Sequence, residues 1–177
     1  MTARATTGGW HSWHRQTVDG AIESEQRLTV DAPVVEFSED GARTLGSVYW
    51  AEVERTMRGC IRRHPRSGGV ELRVAGRGPV LLALGEPELI VTATAVVCCY
   101  PIVGGLLSRG PGGDISFAQT AAGSLELRST IRGFVPTLAA REGRPHWTGA
   151  LYDRVQSRIH IAISRRYFSR LIEQARS

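Results

Sequence analysis

The sequence predicts an α+β domain. An antiparallel sheet of about six to seven strands is expected to wrap on a long C-terminal helix, with one or two helices after the first strand. Three observations carry this. From Val70 the apolar spacing changes from a helical period to strict alternation. Gly- and Pro-containing turns then recur at short intervals as far as Ser124. Near the end of the chain, Leu151, Tyr152, Val155, Ile159, Ala162 and Ile163 fall on one helical face, with Arg154, Ser157, Arg158 and Arg165 opposite.

The elements follow in order. Residues 1–20 hold Gly8-Gly9 and the cluster Trp10-His11-Ser12-Trp13-His14 without an apolar period, so they read as a loose N-terminal arm or an added first element ahead of a single domain over 21–177. A strand signal covers 27–30. Asp31-Ala32-Pro33 then offers an N-cap and a first-turn proline, so 34–38 is expected to form one helical turn. Residues 44–63 read as a helix, because Leu45, Val48, Tyr49, Glu52, Val53, Thr56, Met57, Cys60 and Ile61 share a stripe. Alternating or continuous apolar runs then mark strands near 70–74, 80–84, 89–100, 102–109, 114–117 and 125–132. A helix of about thirty residues closes the chain after Pro145; one so one-sided must lie against the sheet.

Composition excludes several chemistries. Among 177 residues there is neither Lys nor Asn, so all 22 basic residues are Arg, against 17 acids. A Schiff-base Lys, a phosphate-loop Lys and an Asn-linked glycan are therefore impossible. The sequence pI of about 9.7 reflects uniform use of Arg, which fits a biased codon supply better than a selected basic patch. No signature of a specific nucleic-acid-binding module accompanies it. Three cysteines without metal-site spacing suit a reduced, cytoplasmic setting, and residues 1–20 lack the apolar core of a signal peptide. Residues 89–107 are uncharged, yet their β-branched content, Pro101 and Gly104-Gly105 mark two buried strands instead of a membrane-spanning helix.

Three short motifs have plain structural readings. The glycines at 104, 105, 110, 112 and 113 lack the strand-to-helix setting and Lys of a phosphate loop and read as turns and bulges. His11 and His14 have the spacing of a ligand pair but no third ligand nearby. Arg62-Arg63-His64-Pro65-Arg66 reads as a solvated helix end, with contact to an anionic surface as the other option.

The order of strand, helices, antiparallel meander and long last helix, with Leu28-Thr29-Val30-Asp31-Ala32-Pro33 leading into Val34, Val35 and Phe37, resembles the START-like helix-grip superfamily (SRPBCC type) over about 27–176. That superfamily includes steroid and lipid carriers, plant pollen allergens and polyketide cyclases. A closed calycin-like barrel fits the strand count and the last helix less well. The resemblance implies a cavity between the sheet and the C-terminal helix, and hence a hydrophobic or aromatic small molecule as the partner.

On that fold, strand parity turns Phe117, Gln119, Leu127 and Ser129 inward, and helical spacing adds Tyr152, Val155, Gln156 and Ile159 as ligand-binding candidates. If the protein is an enzyme of cyclase or dehydratase type, His160, Tyr152 and Tyr100 are the acid–base candidates, and no metal or nucleotide cofactor is expected. A non-catalytic interaction module is the remaining reading, and homodimerisation stays open.

Overall fold

A computed structural model of the chain describes residues 4–137 and 161–176, with the backbone alone at 5–8. It is an α+β structure with one large antiparallel sheet and two helices. The strands are β1 (Ala5–Gln16), β2 (Ile22–Val30), β3 (Ile61–Arg66), β4 (Gly69–Val74), β5 (Val80–Gly85), β6 (Glu88–Val91), β7 (Ala95–Gly104), β8 (Asp114–Thr120) and β9 (Glu126–Phe134). Helix α1 (Glu39–Thr56) lies between β2 and β3, and helix α2 spans residues 161–174. The strand order is β1-β2-β9-β8-β7-β5-β4-β3, with β6 paired to β7 beside that path.

The sheet has nine described strands where six to seven were expected, and each difference has a local cause. Residues 5–16 are no loose arm: they pair with β2 as an added edge strand, with Trp10 opposite Leu28 and His14 opposite Ser24. The second helix is displaced and shortened at its end. Ser38 caps α1, its Oγ accepting from Gly41 N–H at 3.1 Å, and Glu39 and Asp40 occupy the first turn, where the helix dipole favours acids. After Thr56, Arg58 and Gly59 take positive φ angles of 48° and 78° and turn the chain back. The expected stripe ran on through Cys60 and Ile61, but reversal at Gly59 instead delivers Ile61 into β3, opposite Val74.

The run 89–107 also divides differently. It is broken at Thr92-Ala93-Thr94, between β6 and β7, while Pro101 sits inside β7. The proline is tolerated for a geometric reason. Ile102 N–H donates to Gly113 on the β8 side, so Pro101 aims its missing donor at the opposite edge. At that point β7 changes partner, from β6 at Cys99 to β5 at Ile102, and no ladder bond is lost. Among the described residues no helix is long and apolar enough to cross a membrane.

Both helices cover the same face of the sheet, and aromatic rings hold them there. Phe117 on β8 lies 4.2 Å from Tyr49 of α1 and 5.6 Å from Tyr167 of α2, between ring centroids. Trp50 packs edge-on against Tyr100 of β7 at 5.5 Å, and Phe168 reaches Trp10 of β1 at 5.8 Å. Glu52, only 3 % exposed, joins the helices by accepting from Arg55 and from Arg170 at 3.4 Å. The expected thirty-residue helix is helical over 161–174; its remainder lies outside the described residues.

Residues 32–38, expected to include a helical turn, cross the sheet as an irregular segment. Gln119 fixes them there. Its Oε1 accepts from Val34 N–H at 2.7 Å and Val35 N–H at 3.1 Å, and its Nε2 donates to the Val35 carbonyl at 2.8 Å. Three backbone groups, one buried and two part-buried, are thus satisfied by one side chain. Gln119→Leu, which keeps the volume and removes the bonds, is expected to cost about 2–4 kcal/mol. Urea denaturation would measure it, and a loss below about 0.5 kcal/mol would show that the segment is held by packing alone.

Candidate functional site

The inner face of the sheet is set by register. Across β1, β2, β9, β8 and β7 one row reads Ser12, Gln26, Ser129, Phe117, Cys98, and the next reads His14, Ser24, Ile131, Ile115, Tyr100. Since side chains alternate between faces, both rows point toward the helices. Each row begins polar on β1 and β2 and becomes apolar or aromatic toward β8 and β7.

A cavity of about 190 Å³ lies over this face. Leu72 of β4, Leu82 of β5, Ile115 of β8, and Ile131 and Phe134 of β9 supply sheet walls. Tyr49, Trp50 and Val53 of α1, Met57 just beyond it, and Ile161 and Ile163 of α2 form the opposite side, while Ile61 of β3 adds to the sheet wall. One side alone is polar: Ser12 and His14 of β1 face Ser24 and Gln26 of β2. Ser164 donates to Gln26 Oε1 at 3.3 Å and orients the carboxamide. Among the described lining residues there is no carboxylate, Arg or Cys.

The expected ligand-binding residues separate into three groups. Phe117 and Leu127 are fully buried in the core and do not reach the cavity. Gln119, the polar group that needed a partner, has found it in the backbone of Val34 and Val35. Ser129 is 0 % exposed and its Oγ has no hydrogen-bond partner among the described residues. Tyr152, Val155, Gln156, Ile159 and the acid–base candidate His160 lie outside the described residues. Ser24 and Gln26 were not singled out from the sequence, and Ser12 and His14 drew notice only within the Trp10–His14 cluster, not as cavity residues.

Tyr100, the third acid–base candidate, is buried against α1 and is not part of the cavity wall. Its hydroxyl and the Cys98 thiol occupy the space opposite Gly46, where a Cβ would come within 2.6 Å of the Tyr100 oxygen and 2.9 Å of the Cys98 sulfur. Burial pushes the Tyr100 hydroxyl far above its ordinary value, and the neighbouring Cys98 adds to the rise. Burial likewise raises Tyr49, Tyr167 and Cys98, while Cys99 is pushed up to about 12 by burial and then by Asp114. These groups stay neutral at ordinary pH, as an ionised base or nucleophile would not.

The remaining motifs sit away from the cavity or on opposite sides of a strand. His11 and His14 are three positions apart on β1, which turns them to opposite faces and prevents shared ligation. Arg62, Arg63, His64 and Arg66 belong to the exposed edge strand β3, where charge and Pro65 discourage pairing with another chain. Gly113 (φ +78°) permits close strand approach, since a Cβ would lie 2.3 Å from the Arg132 carbonyl oxygen.

A pH dependence follows from the raised groups. The unfolded chain ionises Cys near its ordinary 9.0 and Tyr near 10.0, whereas the folded chain keeps Cys98, Cys99, Tyr49, Tyr100 and Tyr167 protonated. Above pH 9 the folded state therefore holds more protons, and stability falls as pH rises. Chemical denaturation between pH 7 and 11 is expected to show a decline that begins near 9 and steepens past 10; a flat profile would contradict the burial of these groups. Comparison with known proteins adds no relative, for no family model, no curated protein and no solved structure matches the chain.

Proposed function

We propose that the protein binds a small hydrophobic or aromatic molecule in the cavity between the sheet and its two helices. The observation that carries this reading is the cavity itself, about 190 Å³ and walled mainly by apolar side chains. Protein interiors close voids of this kind wherever packing allows, and a dry apolar cavity of roughly 150 Å³ holds benzene. The space therefore suits a one- or two-ring body, with longer substituents projecting through the open side. Apart from the added β1, the chain order of strand, helix, antiparallel strands and C-terminal helix supports the START-like reading, in which such a space is the binding site.

The test is thermal denaturation with naphthalene, 2-naphthol, medium-chain fatty acids and sterols. A compound present at 100 times its Kd adds about 2.7 kcal/mol to stability, which for a chain of this size raises Tm by about 5–10 °C. Met57→Trp, which fills the cavity from the end of α1, is expected to weaken binding at least about 10-fold. If none of these compounds shifts Tm, or if Met57→Trp leaves the shift intact, the cavity is not the binding site.

A further inference from the structure

The cavity is asymmetric, and its asymmetry predicts the shape of the ligand's chemistry. Two cross-strand pairs, Ser12 with Gln26 and His14 with Ser24, line one side, while the opposite walls carry no hydrogen-bonding side chain beyond the Tyr49 hydroxyl and the Trp50 indole. Ser24 and Gln26 are only 3 % and 1 % exposed. Burying such groups beside an otherwise apolar space is costly unless something hydrogen-bonds them. The first row continues inward to Ser129, where a fully buried hydroxyl remains without a partner among the described residues. Polar side chains thus collect at one end of the cavity; Gln26 already accepts from Ser164, and on the α1 wall the Trp50 Nε1 is the one lining donor buried without a partner among the described residues.

Charge narrows the class further. No Arg, Asp or Glu stands among the described lining residues, and the chain has no Lys at all. Beside the buried Ser24 and Gln26 a carboxylate or ammonium head would lose its water, and the imidazole of His14, on the exposed edge strand, is the one positive partner that the described lining can offer. A hydroxyl or carbonyl exchanges hydrogen bonds with Ser, Gln and His side chains without that cost.

We infer that the cavity takes an amphipathic molecule with one neutral head group, a hydroxyl or carbonyl, directed at the Ser12–Gln26 and His14–Ser24 pairs of β1 and β2, and an apolar ring body directed at β4, β5 and α1. This rests on the cavity being a ligand site. It adds which end of the ligand faces which strand, and that the head carries no charge.

Three probes of one shape test it: naphthalene, 2-naphthol and 2-naphthoate, titrated by calorimetry into the full chain. Wild-type protein is expected to bind 2-naphthol about 10-fold more tightly than naphthalene, the worth of one good buried hydrogen bond, and to bind 2-naphthoate more weakly than 2-naphthol. In Ser12→Ala/Ser24→Ala the preference for 2-naphthol over naphthalene is expected to fall toward one. His14→Phe, at an exposed position of the edge strand, is a second variant that reads the same ratio without touching the core. Equal binding of naphthalene and 2-naphthol by the wild type would overturn the inference while leaving the cavity a ligand site. So would a preference that survives both variants, or tighter binding of 2-naphthoate. If no probe binds, both the inference and the binding function fall together.

Discussion

Phe117 is the point at which the sheet meets both helices. It is fully buried on β8, and its ring lies within about 6 Å of Tyr49, Trp50 and Tyr167. Such rings contribute both buried area and edge-to-face geometry, so the cluster sets angle as well as distance. α1 and α2 are thereby held over one half of the inner face, and Glu52 joins them at the rim by accepting from both Arg55 and Arg170. The cavity is what remains beside that cluster. Its walls begin where Tyr49 and Trp50 end, and it exists because bulky rings hold the helices while smaller aliphatic side chains line the neighbouring strands.

Much of the fold was legible because period-2 and period-3.6 patterns report burial directly. From Val70 to Ile131 the inward and outward positions of most strands follow from alternation, and Leu72, Leu82, Ile115 and Phe117 are buried as that pattern requires. Boundaries fared less well where two signals competed. The apolar stripe of α1 runs past Thr56, yet Gly59 in a left-handed conformation outweighs it and turns the chain into β3. Pro101 looked like a break between strands, but a missing N–H is harmless where β7 is changing partners. Both outcomes depend on pairing between distant residues, which local spacing does not reveal.

The candidate site was less legible for a related reason. In β2, the charged Glu23, Glu25 and Arg27 alternate with Ile22, Ser24, Gln26 and Leu28, and this alternation was the available signal that Ser24 and Gln26 face inward. It was hard to weigh because an inner face with several polar residues resembles an ordinary surface strand. The same uncertainty applied to Ser12 and His14, whose strand exists only through pairing with β2. Gln119 shows the opposite case. Parity correctly turned it inward, but only the three-dimensional path of residues 32–38 reveals that the chain's own backbone uses its hydrogen bonds.

The added strand has a consequence for how capacity and selectivity are divided. β1 is bonded to the sheet along β2 alone, at one end of the strand order, whereas the apolar walls come from strands and helices fastened on several sides. The volume of the cavity is therefore set by the core, and changing it disturbs that packing. One member of each polar pair, Ser12 or His14, sits instead on the exposed edge strand. Under the binding function proposed above, the size of the space and the chemistry of its polar end would therefore be set by different parts of the sheet.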